Sequence, residues 1–472
     1  MRQQLETDQK ALEINLDPSI YGTFAEIGAG QEVARYFFQA GAAAGTIAKT
    51  MSAYDKVYSD KIYGVEPSGR YVCESRLYKM LDHEYDLMRT RLQNERPETK
   101  FFVFADTVAA INYQRTIEGD GWLGLRFQLH PEGEPNEIVL HVRMLDNDNQ
   151  LQQQAIGTLG VNLIYACYRY NEDPEVMIES LLDSLHGRVK IDMIRLTGPD
   201  FEAVDNRLLC LMLVKHELTD VAIFGPDGRS VHGSEFLYKK HLMVVRGSFR
   251  PPTLVNLDMI QTSYQQFRNE PEVDASRTYL LTEITMDNLL AQGELDHKDF
   301  LDRAELLNAM GQTVMISNCE EHQRLIDYLS DFKVQQLGLV LGVQVLSEII
   351  NEKYYQNMDG RLLAAFGELF TRNVKIYVYP ALQEGSAELI TTENMPIPEG
   401  VKFLFRHLLD NRQIVDVEEF DEDILHIFSK RVLNMLRQGE PGWEEMVPPK
   451  VARMVKEKFL FGYPCERMEF EY

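Results

Sequence analysis

Between residues 271 and 411, four short apolar or β-branched runs (residues 279–284, 313–317, 337–341 and 374–379) alternate with amphipathic helical segments. Strands joined through helices cannot form tight hairpins, so each connection carries the chain across a sheet face to a parallel neighbour. The pattern predicts a doubly wound, mainly parallel sheet. Ligands of such sheets gather beyond the carboxyl ends of the strands, which makes Thr285, Asp287, Asn288, Ser317 and Asn318 candidate ligand positions. The same residue types are favoured as helix N-caps, and capping is the competing reading for each.

Upstream, the pattern is mixed. Phe101-Phe102-Val103-Phe104-Ala105-Asp106 is a β-rich run, and residues 124–129 and 137–145 flank Pro131-Glu132-Gly133-Glu134-Pro135 as an antiparallel hairpin. Residues 150–169, 174–185 and 204–215 read as helices and 189–196 as a strand. Residues 221–224 and 236–245 read as strands around the turn Gly225-Pro226-Asp227-Gly228. The expected class is α/β, with a mixed sheet in the N-terminal half, a doubly wound, mainly parallel sheet in the C-terminal half, and a helical C-terminal cap. Four regions follow: 1–100, mainly helical with a glycine-rich turn; 101–270, α+β with a basic cluster; 271–411, β/α; and 412–472, the cap.

In the first region, Gly22-Thr23-Phe24-Ala25-Glu26-Ile27-Gly28-Ala29-Gly30-Gln31-Glu32 joins an apolar run to a glycine turn and a helix start. Exposed N–H groups and the positive end of a helix dipole can receive an anion there, so Gly28 and Gly30 are candidate phosphate contacts. The dinucleotide fingerprint G-x-G-x-x-G is incomplete, because no glycine occupies position 33. Gly41, Gly45 and Ala48 would share one face of a helix running to about Asp55, and close packing of that face competes with ligand binding as the explanation.

Lys and Arg total 48 against 73 Asp and Glu, a formal charge of −25, which opposes binding to nucleic acid or to anionic membrane surfaces. A local exception is Ser234-Glu235-Phe236-Leu237-Tyr238-Lys239-Lys240-His241 followed by Arg246-Gly247-Ser248-Phe249-Arg250-Pro251-Pro252. Lys239, Arg246 and Arg250 are the candidate cations for a phosphate or carboxylate. Lys239 and Lys240 would point to opposite faces of a strand, and a lysine-protected edge strand is the competing reading. Asp106 and Asp287 are the candidates for an acid–base or metal-binding role, the latter through Mg²⁺ carried by a nucleotide.

Five widely spaced cysteines without a C-x-x-C pair suggest neither a disulfide framework nor a zinc site, and fit a reducing cytoplasm. Met1-Arg2-Gln3-Gln4-Leu5-Glu6 lacks the basic start and apolar core of an export signal. No apolar run approaches the roughly 20 residues that span a bilayer, so a soluble protein without membrane partners is expected. The 11 histidines form neither H-x-x-x-H nor H-E-x-x-H, and the sequence contains no G-x-S-x-G and no Walker A motif.

Residues 21–55, Phe102-Val103-Phe104-Ala105-Asp106-Thr107-Val108, Gly121-Trp122-Leu123-Gly124-Leu125-Arg126-Phe127-Gln128, residues 234–251 and Glu283-Ile284-Thr285-Met286-Asp287-Asn288-Leu289 resemble a widespread family of bacterial cytoplasmic proteins. The resemblance covers nearly the whole chain. Members of that family carry conflicting labels, among them nicotinate-nucleotide adenylyltransferase and TonB-dependent receptor. The receptor label conflicts with the absence of a series of alternating outer-membrane strands. The adenylyltransferase label implies a glycine-x-phenylalanine-x-proline-x-histidine-x-glycine-histidine motif near the amino terminus, of which Gly22-Thr23-Phe24 is only a fragment. No catalytic residue is carried over.

Two readings remain. One is a soluble binding protein or enzyme for a phosphorylated small molecule, a nucleotide with or without Mg²⁺, extending to nucleotidyl transfer. The other is a non-catalytic homo-oligomeric assembly or scaffold protein whose glycines serve packing.

Overall fold

A computed structural model describes residues 4–116, 118–291, 293–351, 363, 366–367, 369–370, 373–383 and 388–464. Cys465 and the aromatic, acidic end of the expected cap lie outside the described residues. The chain forms two compact units, Met1–Ala222 and Ile223–Tyr472. Their boundary falls within the segment 101–270 that the sequence suggests as one region.

The first unit holds a mixed sheet of β1 (Ile20–Gly28), β2 (Ile47–Ala53), β3 (Lys100–Ala109), β4 (Gly119–Phe127), β5 (Asn136–Met144) and β6 (Val189–Thr197), in the order β2-β1-β3-β4-β5-β6. β1 pairs in parallel with both β2 and β3, whereas β3 through β6 are antiparallel. Side chains alternate between faces along a strand, and the buried residues divide accordingly. Phe24, Phe102 and Phe104 pack with helices Thr7–Asn15, Val33–Ala40 and Asn149–Arg169. Ala25, Ile27, Phe101 and Val103 face helix Glu74–Leu92 instead. The crossover from β1 to β2 therefore covers one face and the crossover from β2 to β3 the other. This makes β1 a topological switch point.

The second unit carries an eight-stranded sheet in the order β16-β13-β12-β9-β10-β11-β7-β8. Its strands are β7 (Val221–Phe224), β8 (Ser230–Val231), β9 (His241–Arg246), β10 (Thr278–Thr285), β11 (Thr313–Ser317), β12 (Gln336–Gly342), β13 (Val374–Tyr379) and β16 (Ile414–Asp416), with β14 (Ala381–Leu382) and β15 (Leu389–Ile390) forming a separate ribbon. β9 pairs in parallel with β10 on one side and β12 on the other, giving the doubly wound arrangement expected of this half. Helices Ser429–Gln438 and Pro449–Lys458 bury Val432, Leu436, Val451 and Val455 with Leu306 of helix His297–Ala309, forming the helical cap.

Two local expectations are corrected. The small-residue segment after Gly30 does not form one helix to Asp55: helix Val33–Ala40 stops at Gly41, whose φ of 88° is left-handed, and Ala48 lies on β2. Residues 236–245 are not one strand, because residues 233–237 form a helical turn and Lys239 has a φ of 54°. β9 therefore begins at His241, and it is a central strand rather than a lysine-protected edge.

Candidate functional site

β1, β2 and β3 run in the same direction, and β5 shares it through two antiparallel steps. A cavity of about 630 Å³ opens at their carboxyl ends, within the size range of small-molecule sites. Gly28 and Ala29 line it from β1, Tyr54 from beyond β2, and residues 108–113 with Arg115 from beyond β3. Residues 147–149 contribute the start of the long helix.

The loop after β3 is built rather than loose. Gln152 Oε1 accepts the Ile111 N–H at 2.7 Å, while its Nε2 donates to the Asp146 carbonyl at 2.7 Å. Asn112 Oδ1 accepts from Thr116 N–H at 2.8 Å, and Asn112 Nδ2 donates to Thr116 Oγ1 at 2.8 Å. Arg115 adopts a φ of 55°, a conformation that costs a non-glycine residue energy and clusters at functional positions. Within this frame Tyr113 and Tyr54 leave their rings in solvent, at 103% and 78% exposure. Tyrosine faces can stack on a planar ring, and Arg115, the one Lys or Arg among the described lining residues, can pair with an anion.

Gly28 and Gly30 serve close packing around this cavity. A Cβ at Gly28 would lie 2.2 Å from the Val108 carbonyl oxygen, and one at Gly30 would lie 2.0 Å from Asp106 Oδ1. The helix N-terminus that follows is already occupied: Glu26 Oε1 accepts from Val33 N–H at 2.8 Å and from Ala34 N–H at 3.4 Å. A protein carboxylate thus holds the seat that the sequence offers to a phosphate. Asp106 is fully buried and accepts from Ile27 N–H at 3.2 Å, which leaves it closed to a substrate proton. Burial, reinforced by neighbouring Glu26, holds its pKa well above the carboxylate range.

In the second unit the expected cations do not converge. Arg246 ends β9 and grips the fully buried Glu283 through Nε at 2.8 Å and Nη2 at 3.0 Å, with further bonds to the Glu320 and Cys319 carbonyls. Arg250 Nε pairs with Asp299, which Arg303 Nε also holds at 2.8 Å. Lys239 is exposed two residues before the other end of β9, whose five steps from His241 to Arg246 span about 17 Å. Asp287 is exposed in a short helix, where Thr285 Oγ1 accepts from Asn288 N–H at 3.2 Å as an N-cap. Ser317 donates to Glu283. Thr285 follows the capping reading, and Ser317 supports the Arg246–Glu283 pair.

Two features were not read from the sequence. Tyr54, Tyr71, Tyr113 and Arg115 come together only through the parallel strand ends; the available signal was aromatic residues just beyond predicted strands. The second is Gly247-Ser248-Phe249-Arg250-Pro251, which keeps the opening spacing of the adenylyltransferase motif after β9, the switch point of the second sheet. Thr253 and Asn256 stand where that motif has histidines, and Val255 where it has glycine. Asn256 Oδ1 accepts from Thr253 N–H at 3.0 Å, and Thr253 Oγ1 accepts from Asn256 N–H at 3.4 Å, so the pair caps helix Leu254–Arg268. A larger cavity of about 1070 Å³ in this unit lies beside the starts of β12 and β13, away from the carboxyl ends. There Glu270 holds Lys375 Nζ at 2.7 Å and accepts from the Tyr377 hydroxyl at 3.1 Å.

No helix of the described residues is long and apolar enough to cross a membrane. No family model matches the chain, and no curated protein matches it significantly. Partly similar solved structures include the competence/damage-inducible protein CihA of Agrobacterium tumefaciens, with 15% identity over 35% of this chain and 98% of that chain and a TM-score of 0.25. A CinA superfamily protein of Escherichia coli shows 17% identity over 35% of this chain and 94% of that one, also with a TM-score of 0.25. Plasmodium falciparum nicotinic acid mononucleotide adenylyltransferase complexed with APC shows 11% identity over 48% of this chain and 98% of that one, with a TM-score of 0.30. These TM-scores are too low to establish a shared fold.

Proposed function

We propose that this is a soluble, cytoplasmic bacterial protein that binds a phosphorylated small molecule of the nucleotide class in the cavity of its first unit, without transferring the nucleotidyl group. The observation that carries this reading is the cavity of about 630 Å³ at the switch point of the first sheet, with exposed tyrosine rings and one arginine on an ordered loop. A base stacks on Tyr54 or Tyr113, and the phosphate pairs with Arg115 rather than with the helix N-terminus that Glu26 occupies. Thr253 and Asn256 provide no imidazole at the second switch point, which argues against transfer chemistry there.

Calorimetric titration with AMP tests the reading. Base stacking contributes about 1–3 kcal/mol and a charged hydrogen bond about 1.5–3 kcal/mol, so Tyr113→Ala and Arg115→Ala should each weaken AMP binding by roughly tenfold with unchanged melting temperature. Undiminished affinity in both variants removes the cavity from consideration. The assembly reading draws on a different observation, the exposure of Val57, Tyr58 and Val65 at 65%, 61% and 72%. If these residues form a subunit contact, Val57→Asp with Tyr58→Asp lowers the native mass to that of one chain.

A further inference from the structure

Glu26 on β1 and Asp106 on β3 are register partners, and both are buried, at 4% and 0% exposure. One Asp106 oxygen accepts the Ile27 N–H, whereas its other oxygen, Oδ2, is buried without a hydrogen-bond partner in the described structure. An unpaired carboxylate oxygen in a closed site is expensive, but a proton placed on it becomes a donor that a neighbouring carboxylate can accept. Glu26 is that neighbour, and its own Oε1 is anchored on the first N–H groups of helix Val33–Ala40. Gly30 lies directly against the Asp106 carboxylate, and Gly28 against the Val108 carbonyl. The loop carrying these glycines also presents Gly28, Ala29 and Gln31 to the cavity.

We infer that Glu26 and Asp106 are positioning residues of the ligand cavity: they hold one proton between them, and its loss disengages the loop of residues 28–32 and weakens ligand binding. This inference rests on the ligand reading of the cavity. With one proton the pair carries a single negative charge, which the N-terminus of helix Val33–Ala40 stabilises. Without it, two adjacent carboxylates repel in a site that water does not reach.

Among the described residues the surroundings offer little other compensation. Glu32, whose charge also raises Glu26, pairs with Arg35 at 3.0 Å. β2 and β4 place Ser52 and Leu123 in register with the two carboxyls, Tyr36 packs against Gly157, and the long helix has no ionisable residue before Tyr165. Burial accordingly pushes Glu26 up to about 7 and Asp106 well upward.

The test uses the full chain and two probes, AMP and adenosine, because adenosine has no phosphate that titrates near neutrality. Adenosine affinity should fall as pH rises above about 7, where the last proton of the pair is lost, at most roughly tenfold per pH unit for one linked proton, and Asp106→Asn or Glu26→Gln should flatten that profile. A pH-independent wild type, or a variant that keeps the slope, overturns the inference. Infrared spectroscopy of the ligand-free protein separates this failure from failure of the ligand reading. A protonated carboxyl band at pH 6.5, weakening as pH rises above about 7 and altered in Glu26→Gln, supports the pair even if neither probe binds. Absence of that band overturns it even if both bind, and the wild-type spectrum decides if Asp106→Asn does not fold.

Discussion

Glu26 and Asp106 sit side by side on the parallel strands β1 and β3, closed to solvent, at the point where the first sheet changes winding direction. Glu26 turns its charge toward a helix N-terminus, whereas Asp106 keeps one oxygen without a partner. The switch point thus combines a solvent-open cavity in front with a partly compensated acid pair behind.

The pair makes stability pH-dependent. Burial raises both carboxyls, Glu26 to about 7, so the protonated pair favours the fold. The contribution is complete below the unfolded carboxyl value near about 4; the Glu26 share is lost as pH rises through about 7 and the Asp106 share at higher pH. Asp106→Asn is expected to raise the melting temperature at pH 8 and to change it little at pH 4.5, by scanning calorimetry. Destabilisation of equal size at both values contradicts this.

His141 works in the opposite electrostatic setting. Burial opposes its charge, but Asp192, at 2.7 Å from Nδ1, and Asp120 outweigh that effect and raise it to about 9. The stabilisation is complete below the unfolded value near about 6.5 and is lost as pH rises through about 9. The stability gap between wild type and His141→Gln in urea should therefore narrow from pH 6 to pH 9.5. A constant gap assigns the effect to packing against Trp122 instead.

Arg246 is a clamp for Glu283, so its removal leaves a fully buried carboxylate without a countercharge, held by the Ser317 hydroxyl. Arg246→Ala is expected to cost the second unit about 3–5 kcal/mol, with Glu283→Gln in the same background recovering part of the loss. A fully stable Arg246→Ala protein contradicts the clamp role.

Gly30→Ala places a methyl group against Asp106, where the ideal Cβ position is 2.0 Å from an oxygen. Overpacking of this kind costs about 1–3 kcal/mol. The same change at Gly367, which lies in helix and whose Cβ meets nothing within 4 Å among the described residues, should not destabilise. Equal denaturation midpoints for the two variants contradict the packing account.

Much of the architecture was legible because periodicity is local. The strands at residues 313–317 and 374–379 match the expectation to the residue, and the hairpin of β4 and β5 follows from its turn. After Gly41 the alanine-rich composition favours helix, but the left-handed Gly41 and the pairing of β2 with β1 override that local preference. Charge was the less reliable guide to the site. Arg246 and Arg250 read as ligand cations, but their buried carboxylate partners Glu283 and Asp299 lie 37 and 49 residues away in sequence, beyond any local pattern. The cavity draws on loops after β1, β2, β3 and β5, so only the fold assembles it.

The most direct test of the central claim is photolabelling of the full chain with 8-azido-AMP, followed by peptide mass spectrometry. The cavity reading predicts saturable labelling of the peptides carrying Tyr54 or Tyr113, suppressed by excess AMP. Saturable labelling confined to residues 223–472, or labelling that AMP does not suppress, contradicts it.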